Sequence, residues 1–408
     1  MKRLLKIGLL VFIVLAILGT ISKNKKNQEG GSLTSGSPDT STEGNEPETL
    51  SNENTGQEDQ APSTQTEKPE RDFERISIQG ETQKSGYADV SLEYQGNTGW
   101  IAYSWTNFVS AQKQYVETHI AKSTDRGATW QYVTIANKSN DAQDDKGNFL
   151  GIWRNETPAL VYDPTDSADK RWKLYYQRYL APVNRPHAYT LNIIAYQHAA
   201  SPEGPWSEAM CLIGNLPGCK QKIGDINSGL SKMVFFNELG IVSYGGRLYM
   251  SMDVSPSDTG VGNASDLKER RMILLSSSDH GNSWQYVGVL TNYDDAISFG
   301  YATFTASSLT THNGKPYLMI SPSGSLTAKE KGHQGSYIIS FDDINQAKLS
   351  RVNGKLNFIK TIPPPLSRGG QSDYDDGNTE GGIIFSQLNT AGGSQPFQIF
   401  NTFQHIAN

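Results

Sequence analysis

Cysteine is scarce in this chain, and several familiar sequence signals are missing altogether. Only two of the 408 residues are cysteine, which excludes a disulfide-rich scaffold. Beyond the first 26 residues there is no long apolar run, and no stretch keeps a helical period for ten residues. No glycine-rich phosphate loop occurs, and no histidine or cysteine set has the spacing of a metal site. These absences disfavour helical, nucleotide-binding and metal-dependent classes, and we expect no cofactor.

Two acidic clusters, Asp141–Asp145 and Asp373–Asp376, are the nearest approach to a calcium loop. Both miss the EF-hand spacing, so structural calcium is left as a possibility that no motif supports. A strong charge of either sign is also lacking, since residues 71–408 hold 29 basic and 32 acidic residues. This balance gives no reason to expect a nucleic-acid partner or a strongly acidic one.

The N-terminus carries the one long apolar run, the 15 residues from Ile7 to Ile21, with basic residues on both sides. Its length lies between a signal-peptide core and a short membrane helix, and no small-x-small cleavage site follows it. We interpret residues 1–26 as a signal-anchor, with a cleaved signal peptide as the alternative. Residues 27–70 are acidic and rich in Ser, Thr, Gly and Pro, which predicts a disordered tether. The domain at 71–408 is expected outside the cytoplasm, held to a membrane, or secreted if the segment is cleaved.

The two cysteines are eight residues apart, in the sequence CLIGNLPGC. In an exported protein this spacing suits a local disulfide between Cys211 and Cys219. Two free thiols are the alternative, because sequence does not show whether the Cα atoms come close enough.

Residues 71–408 alternate short apolar segments with Gly, Asn and Asp, which is typical of an all-β domain. Two turn series share a period of roughly 77 residues. One series is the tight turns between paired strands: Gly96-Asn97, Asp163-Pro164, Gly245-Gly246, Asn313-Gly314 and 391–393. The other is Trp130, Trp206 and Trp284, each after a polar turn. The period predicts a β-propeller of five blades, with six as the alternative, and an early strand near 73–79 would complete the last blade.

Two turns share one pattern, Ser123 to Trp130 and Ser277 to Trp284, with a degenerate third copy at Ser201–Trp206. An Asp accepts backbone N–H groups across such a turn, a Gly permits positive φ, and a Trp packs on the sheet. The pattern resembles the Asp-box, or BNR repeat, of the sialidase superfamily, which implies a propeller fold. The expected structural residues are Asp125, Gly127, Trp130, Asp279, Gly281 and Trp284. If strands alternate in direction, these turns lie on the face opposite the long loops.

Counting back seven residues from the first three tight turns reaches Asp89, Glu156 and Glu238. Acids at matched positions on three blades would converge at the central channel, where paired carboxyls suit glycoside hydrolysis. The arrangement resembles the five-bladed arabinanase- and fructosidase-type glycosidases. That resemblance implies Asp89 as base or nucleophile, Glu156 as an orienting carboxylate and Glu238 as the acid. The alternative is that these acids cap strand starts.

The loops on that face are rich in aromatic and cationic side chains that suit sugar faces and carboxylates. The candidate substrate-binding residues are Arg154, Trp153, Trp105, Arg178, His187, Arg270, Arg368 and Tyr374. The expected function is a sialidase-like glycosidase that acts on an extracellular glycan or glycoconjugate. The sialidase motif Arg-Ile-Pro is missing, and Tyr374 with Glu380 is the only candidate for a Tyr–Glu pair. The second hypothesis is a non-catalytic propeller that binds a glycan or protein partner.

Overall fold

A computed structural model describes residues 73–260, 262–325, 332–365, 368–389 and 394–406. The predicted anchor (1–26) and tether (27–70) lie outside the described residues. Within the described ranges, no helix combines the length and apolar character that a membrane crossing requires. The helices there are single turns or little more: Ile223–Ile226, Ala264–Glu269, Tyr293–Ile297 and the 3-10 turns Ser228–Leu230 and Ile344–Gln346.

Strands dominate the described ranges, and most belong to five consecutive antiparallel groups. In chain order they are β1 (Glu74–Arg75), β2 (Ile78–Gln79), β3 (Gly86–Gln95), β4 (Thr98–Phe108), β5 (Gln114–Ser123), β6 (Trp130–Asn137), β7 (Asn140–Gln143), β8 (Phe149–Tyr162), β9 (Trp172–Pro182), β10 (Thr190–Ala199), β11 (Met210–Gly214), β12 (Phe235–Tyr244), β13 (Arg247–Ser255), β14 (Arg271–Ser277), β15 (Gln285–Thr291), β16 (Tyr301–His312), β17 (Lys315–Ser325), β18 (Ser336–Asp343), β19 (Lys348–Leu349), β20 (Arg351–Val352), β21 (Lys355–Leu356), β22 (Phe358–Ile362), β23 (Arg368–Asp373), β24 (Ile384–Leu388) and β25 (Phe397–Asn401).

Each group is an antiparallel meander. Group 1 is β3 to β6, group 2 is β8 to β11 and group 3 is β12 to β15. Group 4 is β16, β17, β18 and β22, and group 5 is β23, β24, β25 and β1. The first strands contact one another in the cycle β3, β8, β12, β16, β23 and back to β3. This arrangement confirms the prediction of an all-β, propeller-type fold.

The predicted early strand joins the end of the chain to its beginning. β1 pairs with β25 through Glu74 and Asn401, so it completes group 5 as expected. β2 then pairs in parallel with β6, where Ile78 lies opposite Trp130. One N-terminal segment therefore ties the last group to the first.

The fifth group differs from the sequence prediction. Its first strand is β23, so its first and second strands are joined by residues 374–383 and not by the predicted turn at 391–393. Residues 390–393 lie outside the described residues. The β23 sequence, RGGQSD, has no apolar alternation, and for that reason the period missed it.

The two turns that resemble Asp-boxes, Ser123–Trp130 and Ser277–Trp284, are called Asp-box turns below for that resemblance alone. They connect the third and fourth strands of groups 1 and 3, as predicted. In the first box, the Asp125 carboxylate accepts hydrogen bonds from the Thr129 backbone N–H (2.9 Å), the Thr129 hydroxyl (2.6 Å) and the Ser123 hydroxyl (2.8 Å). Gly127 has φ of 92° and Gly281 has φ of 81°, a region that favours glycine. Trp130 and Trp284 are buried in the packing between sheets. These residues therefore stabilise the turns and the strands that follow them.

Cys211 and Cys219 form a disulfide with their Cα atoms 4.5 Å apart. Cys211 lies in β11, the last strand of group 2, and the bridge closes the loop that follows it.

Candidate functional site

All five first strands have an irregular register, where their pairing with the second strand of the group is interrupted. Two residues bulge out between the paired positions Ala88 and Ser91, and the same occurs in the other four groups. The corresponding bulges lie at Thr157–Pro158, Glu238–Leu239, Ala306–Ser307 and Gly370–Gln371. A bulge turns a side chain out of the regular alternation of a strand. The five bulges therefore form a ring at one mouth of the central channel.

Two of the predicted acids are bulge residues with unusual backbone conformations. Asp89 has φ of 51° and Glu238 has φ of 52°. Thr157 and Ala306, at the same position in groups 2 and 4, have φ of 50° and 52°. Residues other than glycine pay a conformational penalty for positive φ, and such positions cluster at functional sites.

The predicted equivalence of Glu156 with the other two acids is wrong by one residue. Thr157 is the bulge residue of group 2, and Glu156 precedes it, paired with Gln177. Four paired residues separate this bulge from the turn, against five in groups 1 and 3. Because the part of the strand after the bulge is one residue shorter in group 2, counting back seven residues from the turn reaches Glu156 and not the bulge residue Thr157. The sequence alone does not reveal this difference in length.

The three acids nevertheless interact. Burial raises the pKa of Asp89 to about 6, and the Glu238 carboxylate adds to this effect. Burial and then the charge of Asp89 raise the pKa of Glu156 to about 8. Burial and then Asp253 raise the pKa of Glu238 to about 7. All three are half-buried, so solvent reaches them. Neighbouring carboxyls with displaced pKa values are typical of acid–base sites.

Backbone donors from the following group support the acids of the preceding group. The Ala306 N–H donates to Oε2 of Glu238 at 2.5 Å. The Thr157 N–H donates to the Ser104 hydroxyl at 3.1 Å and also stabilises the charged form of Asp89. The bulge ring thus supplies donors as well as acids to the mouth.

His333 lies beside this site, with its Nε2 atom 3.7 Å from Oε1 of Glu238. Burial lowers the pKa of His333 to about 4, so the imidazole is neutral at physiological pH. A cleft of about 210 Å³ is lined by His333, Asp89 and Arg368 among others. Among the predicted substrate-binding residues, Arg368 therefore does lie beside the base candidate.

Two predicted substrate arginines are occupied by internal partners. Arg154 donates to the backbone oxygen and side chain of Gln114 and to the Tyr179 hydroxyl. Arg270 is buried and donates to both carboxylate oxygens of Asp253. Because the hydrogen bonds of both guanidiniums are made with internal partners, their assignment as substrate ligands is corrected to an internal role.

Trp105 and Tyr374 are also misassigned. Trp105 is buried in the core of group 1, where it stacks on His119 with ring centroids 5.0 Å apart and donates to the Thr82 carbonyl. Tyr374 follows the last residue of β23, at the opposite end of the channel, and is buried there. Its proposed partner Glu380 lies at the same end, where its N–H donates to the Arg126 carbonyl of the first Asp-box. The Tyr–Glu pair is therefore not part of the mouth.

The remaining predicted residues lie at the mouth end of group 2. Trp153 is half-buried, and the Arg178 guanidinium lies 5.3 Å from its ring centroid while donating to Asn155. His187 is exposed in the loop between β9 and β10.

Sequence reasoning missed Tyr189 and Asp253. Tyr189 packs against Tyr179 and Phe235, with ring centroids 4.5 and 5.0 Å apart. Burial and then the charges of Glu156 and Glu238 raise the pKa of its hydroxyl well above the usual range. The tyrosine lies in a loop without any motif, and a single buried aspartate in a strand gives no signal of its own.

The other face of the protein holds the Asp-boxes and a cluster of Asp163, Asp166 and His280. The Lys173 ammonium lies 2.5 Å from Oδ2 of Asp166 and 4.0 Å from Oδ2 of Asp163. The buried ammonium of Lys173 and Nδ1 of His280, which lies 2.9 Å from Oδ2 of Asp163, already occupy these carboxylates. The donor set therefore does not fit a divalent metal. Hydrogen bonds also occupy the acids first considered for calcium: Asp141 accepts from Lys113 and Tyr115, Asp144 from Asn148, and Asp375 from Tyr94 and Gly377.

Comparison with known proteins shows the fold. No family model matches the sequence, and no curated protein matches it. The structure is similar to the Bombyx mori GH32 β-fructofuranosidase BmSUC1, with a TM-score of 0.51 and 14% identity over 80% of this chain; it spans 61% of that protein's length. It is also similar to BT0996 in an RGII complex, with a TM-score of 0.50 and 12% identity over 80% of this chain and 90% of that protein. A thermostable family-43 glycoside hydrolase has a TM-score of 0.48 and 12% identity over 80% of this chain and 91% of its own. At 12–14% identity, the similarity to the β-fructofuranosidase and to BT0996 shows a shared fold.

Proposed function

We propose that this protein is a glycoside hydrolase that acts on an extracellular glycan at the mouth of a five-bladed propeller. The observation that carries the proposal is the set of Asp89, Glu156 and Glu238, three mutually interacting and solvent-reachable carboxyls at the bulge ring. Glycoside hydrolysis requires two carboxyls in different protonation states. The five antiparallel groups correspond to the five blades.

The raised pKa values suggest how the roles divide. Asp89, with a pKa of about 6, is mostly ionised at pH 7 and suits a base or nucleophile. Glu238, with a pKa of about 7, retains its proton in part and suits the general acid. Glu156 has a pKa of about 8 and is mostly protonated at pH 7, so as a neutral orienting group it can donate a hydrogen bond to the substrate or to a neighbouring carboxylate. Because the acid must be protonated and the base ionised, activity should peak between about pH 6 and pH 7.

The test uses the full chain and a panel of 4-nitrophenyl and natural glycosides. Asp89→Asn and Glu238→Gln should each lower kcat/KM by a factor on the order of 10² or more. If Glu238 is the acid, Glu238→Gln should keep more activity on a substrate with a good leaving group than on a poor one. Full activity in both variants would rule out these acids. Binding of a glycan without any turnover would favour the second hypothesis, a non-catalytic propeller.

The proposal does not extend to sialic acid as the substrate. A carboxylate clamp would need several free arginines, and Arg154 and Arg270 are held by internal partners. Arg247 begins β13 at the turn end, away from the acids. Export and membrane attachment remain part of the proposal and rest on residues 1–26. Fractionation of cells that express the full chain, with protease added from outside, tests both.

A further inference from the structure

The ion pair of Asp253 and Arg270 is buried beside the proposed acid. Asp253 is 0% exposed and Arg270 is 7% exposed. The Nε atom of Arg270 donates to Oδ1 and Oδ2 of Asp253 at 3.1 and 2.9 Å, and its Nη2 atom also donates to Oδ2. Removing two charges from water costs free energy that their attraction does not fully return. A buried pair of this kind is therefore weak evidence for stability and calls for another explanation.

The pair is joined to Glu238 through the bulge of β16. The Thr305 hydroxyl donates to Oδ2 of Asp253 and accepts from Nη2 of Arg270, both at 3.1 Å. The next residue, Ala306, donates its backbone N–H to Oε2 of Glu238. The Ser307 hydroxyl donates to the Glu238 backbone oxygen at 2.5 Å. Residues 305–307 thus contact the ion pair with one side chain and hold Glu238 at two atoms.

We propose that the Asp253–Arg270 pair is a positioning element that holds Glu238 through Thr305 and controls when Glu238 carries its proton. This inference rests on the proposed function of Glu238. Six groups act on Glu238 or are acted on by it: Asp89, Glu156, Tyr189, His333, Asp253 and Arg270. Asp253 and Arg270 act in opposite directions, because the negative charge favours the protonated form of Glu238 and the positive charge favours the ionised form.

The opposite signs give a test that a purely structural role does not pass. Asp253→Asn leaves the Arg270 charge without its partner, so the pKa of Glu238 should fall and the basic limb of the pH–rate profile should move to lower pH. Arg270→Gln should move the same limb to higher pH. Each shift should be about one pH unit, as expected for loss of one neighbouring charge. The double variant should return the limb close to its wild-type position.

Two measurements on the full chain distinguish failure of the proposed function from failure of this inference. One is the pH dependence of kcat/KM on an activated glycoside. The other is a ¹³C NMR titration of the Glu238 carboxyl, assigned by its loss in Glu238→Gln. If the titration shows the opposite shifts but no glycoside is cleaved, the proposed function is wrong while the control of Glu238 by the pair stands. If both variants fold and the pKa of Glu238 shifts in the same direction in both, or shifts in neither, the inference is overturned.

Matched variants cover the case in which a single charge change prevents folding. Thr305→Val keeps both charges and removes the bridging hydroxyl, so kcat should fall several-fold with the pH limb unchanged. Unchanged kcat would overturn the positioning role. Arg351→Gln is the control, because Arg351 forms a comparable two-bond pair with Asp295 (2.6 and 3.1 Å) away from the mouth and should alter neither kcat nor the pH limb.

Discussion

Replacement of Asp279 by alanine should lower the free energy of unfolding by about 2 kcal/mol and leave glycosidase activity intact. The Asp279 carboxylate accepts three hydrogen bonds, from the Ser277 hydroxyl (2.7 Å), the Ser283 N–H (2.9 Å) and the Ser283 hydroxyl (2.6 Å). A net contribution of about 0.5–1.5 kcal/mol each brackets the total. Since Asp279 and Ser283 are partly exposed, water replaces some of the lost bonds, and the lower half of the range applies.

The loss should depend on pH in a defined direction. Burial acts to raise the pKa of Asp279, but the hydrogen bonds from Ser283 and Ser277 outweigh it and hold the pKa below its usual value. A carboxyl with a depressed folded-state pKa stabilises the fold above its unfolded pKa of about 3.9. The contribution is lost as the pH falls through the folded pKa. Wild type and Asp279→Ala should therefore differ at pH 7 and converge in strong acid.

Urea unfolding followed by tryptophan fluorescence measures this difference, with kcat/KM determined on the same samples. Asp125→Ala should behave alike, because its three bonds have nearly the same lengths. Glu208→Ala, at an exposed position, is the neutral control. A loss of activity at unchanged stability would refute the reasoning, since it would move chemistry to the Asp-box face.

Three other predictions concern Tyr189, Lys173 and the disulfide. Tyr189→Phe keeps the ring and removes the hydroxyl that faces the acids, so kcat/KM should fall about tenfold with unfolding unchanged, and an unaltered kcat/KM would contradict this. Lys173→Met removes the buried ammonium that lies 2.5 Å from Oδ2 of the partly buried Asp166, and it should cost about 3 kcal/mol in urea unfolding; a neutral effect would show that the acids rearrange. Replacing Cys211 and Cys219 with serine opens a loop of eight residues and should cost about 2.5 kcal/mol, with no further loss on adding reductant.

The sequence predicts the fold well where turns repeat and poorly where a strand lacks apolar residues. The period of roughly 77 residues depends on Gly, Asn and Trp positions that sterics impose on every group. β23 contributes polar and glycine residues to the channel, so it leaves no alternating pattern. The misplacement of Tyr374 follows directly from that one missed strand.

The candidate site is predicted in part because acids are visible and partners are not. Asp89, Glu156 and Glu238 come together although Glu156 is out of register by one residue. Sequence does not show whether an arginine is free, and Arg154 and Arg270 are both occupied by residues far away in the chain. The partner of a side chain depends on how the five strand groups pack together, and no local sequence pattern shows that packing.

Displaced pKa values alone do not locate the site, because acids lie at both ends of the channel. At the turn end, burial raises the pKa of Asp373 to about 7, and a larger cavity of about 310 Å³ is found there. Both oxygens of Asp373 are occupied, however: Oδ2 accepts from the Leu92 N–H, and Oδ1 accepts from the Ser308 hydroxyl and the Tyr374 N–H. Its carboxyl therefore joins the strands β3, β16 and β23, which is a structural role. At the mouth, Oε1 of Glu238 lies 3.7 Å from Nε2 of His333, and His333 lines the cleft of about 210 Å³ together with Asp89. We propose that the mouth, where Asp89, Glu156 and Glu238 interact, is the end at which a glycosidic oxygen is protonated.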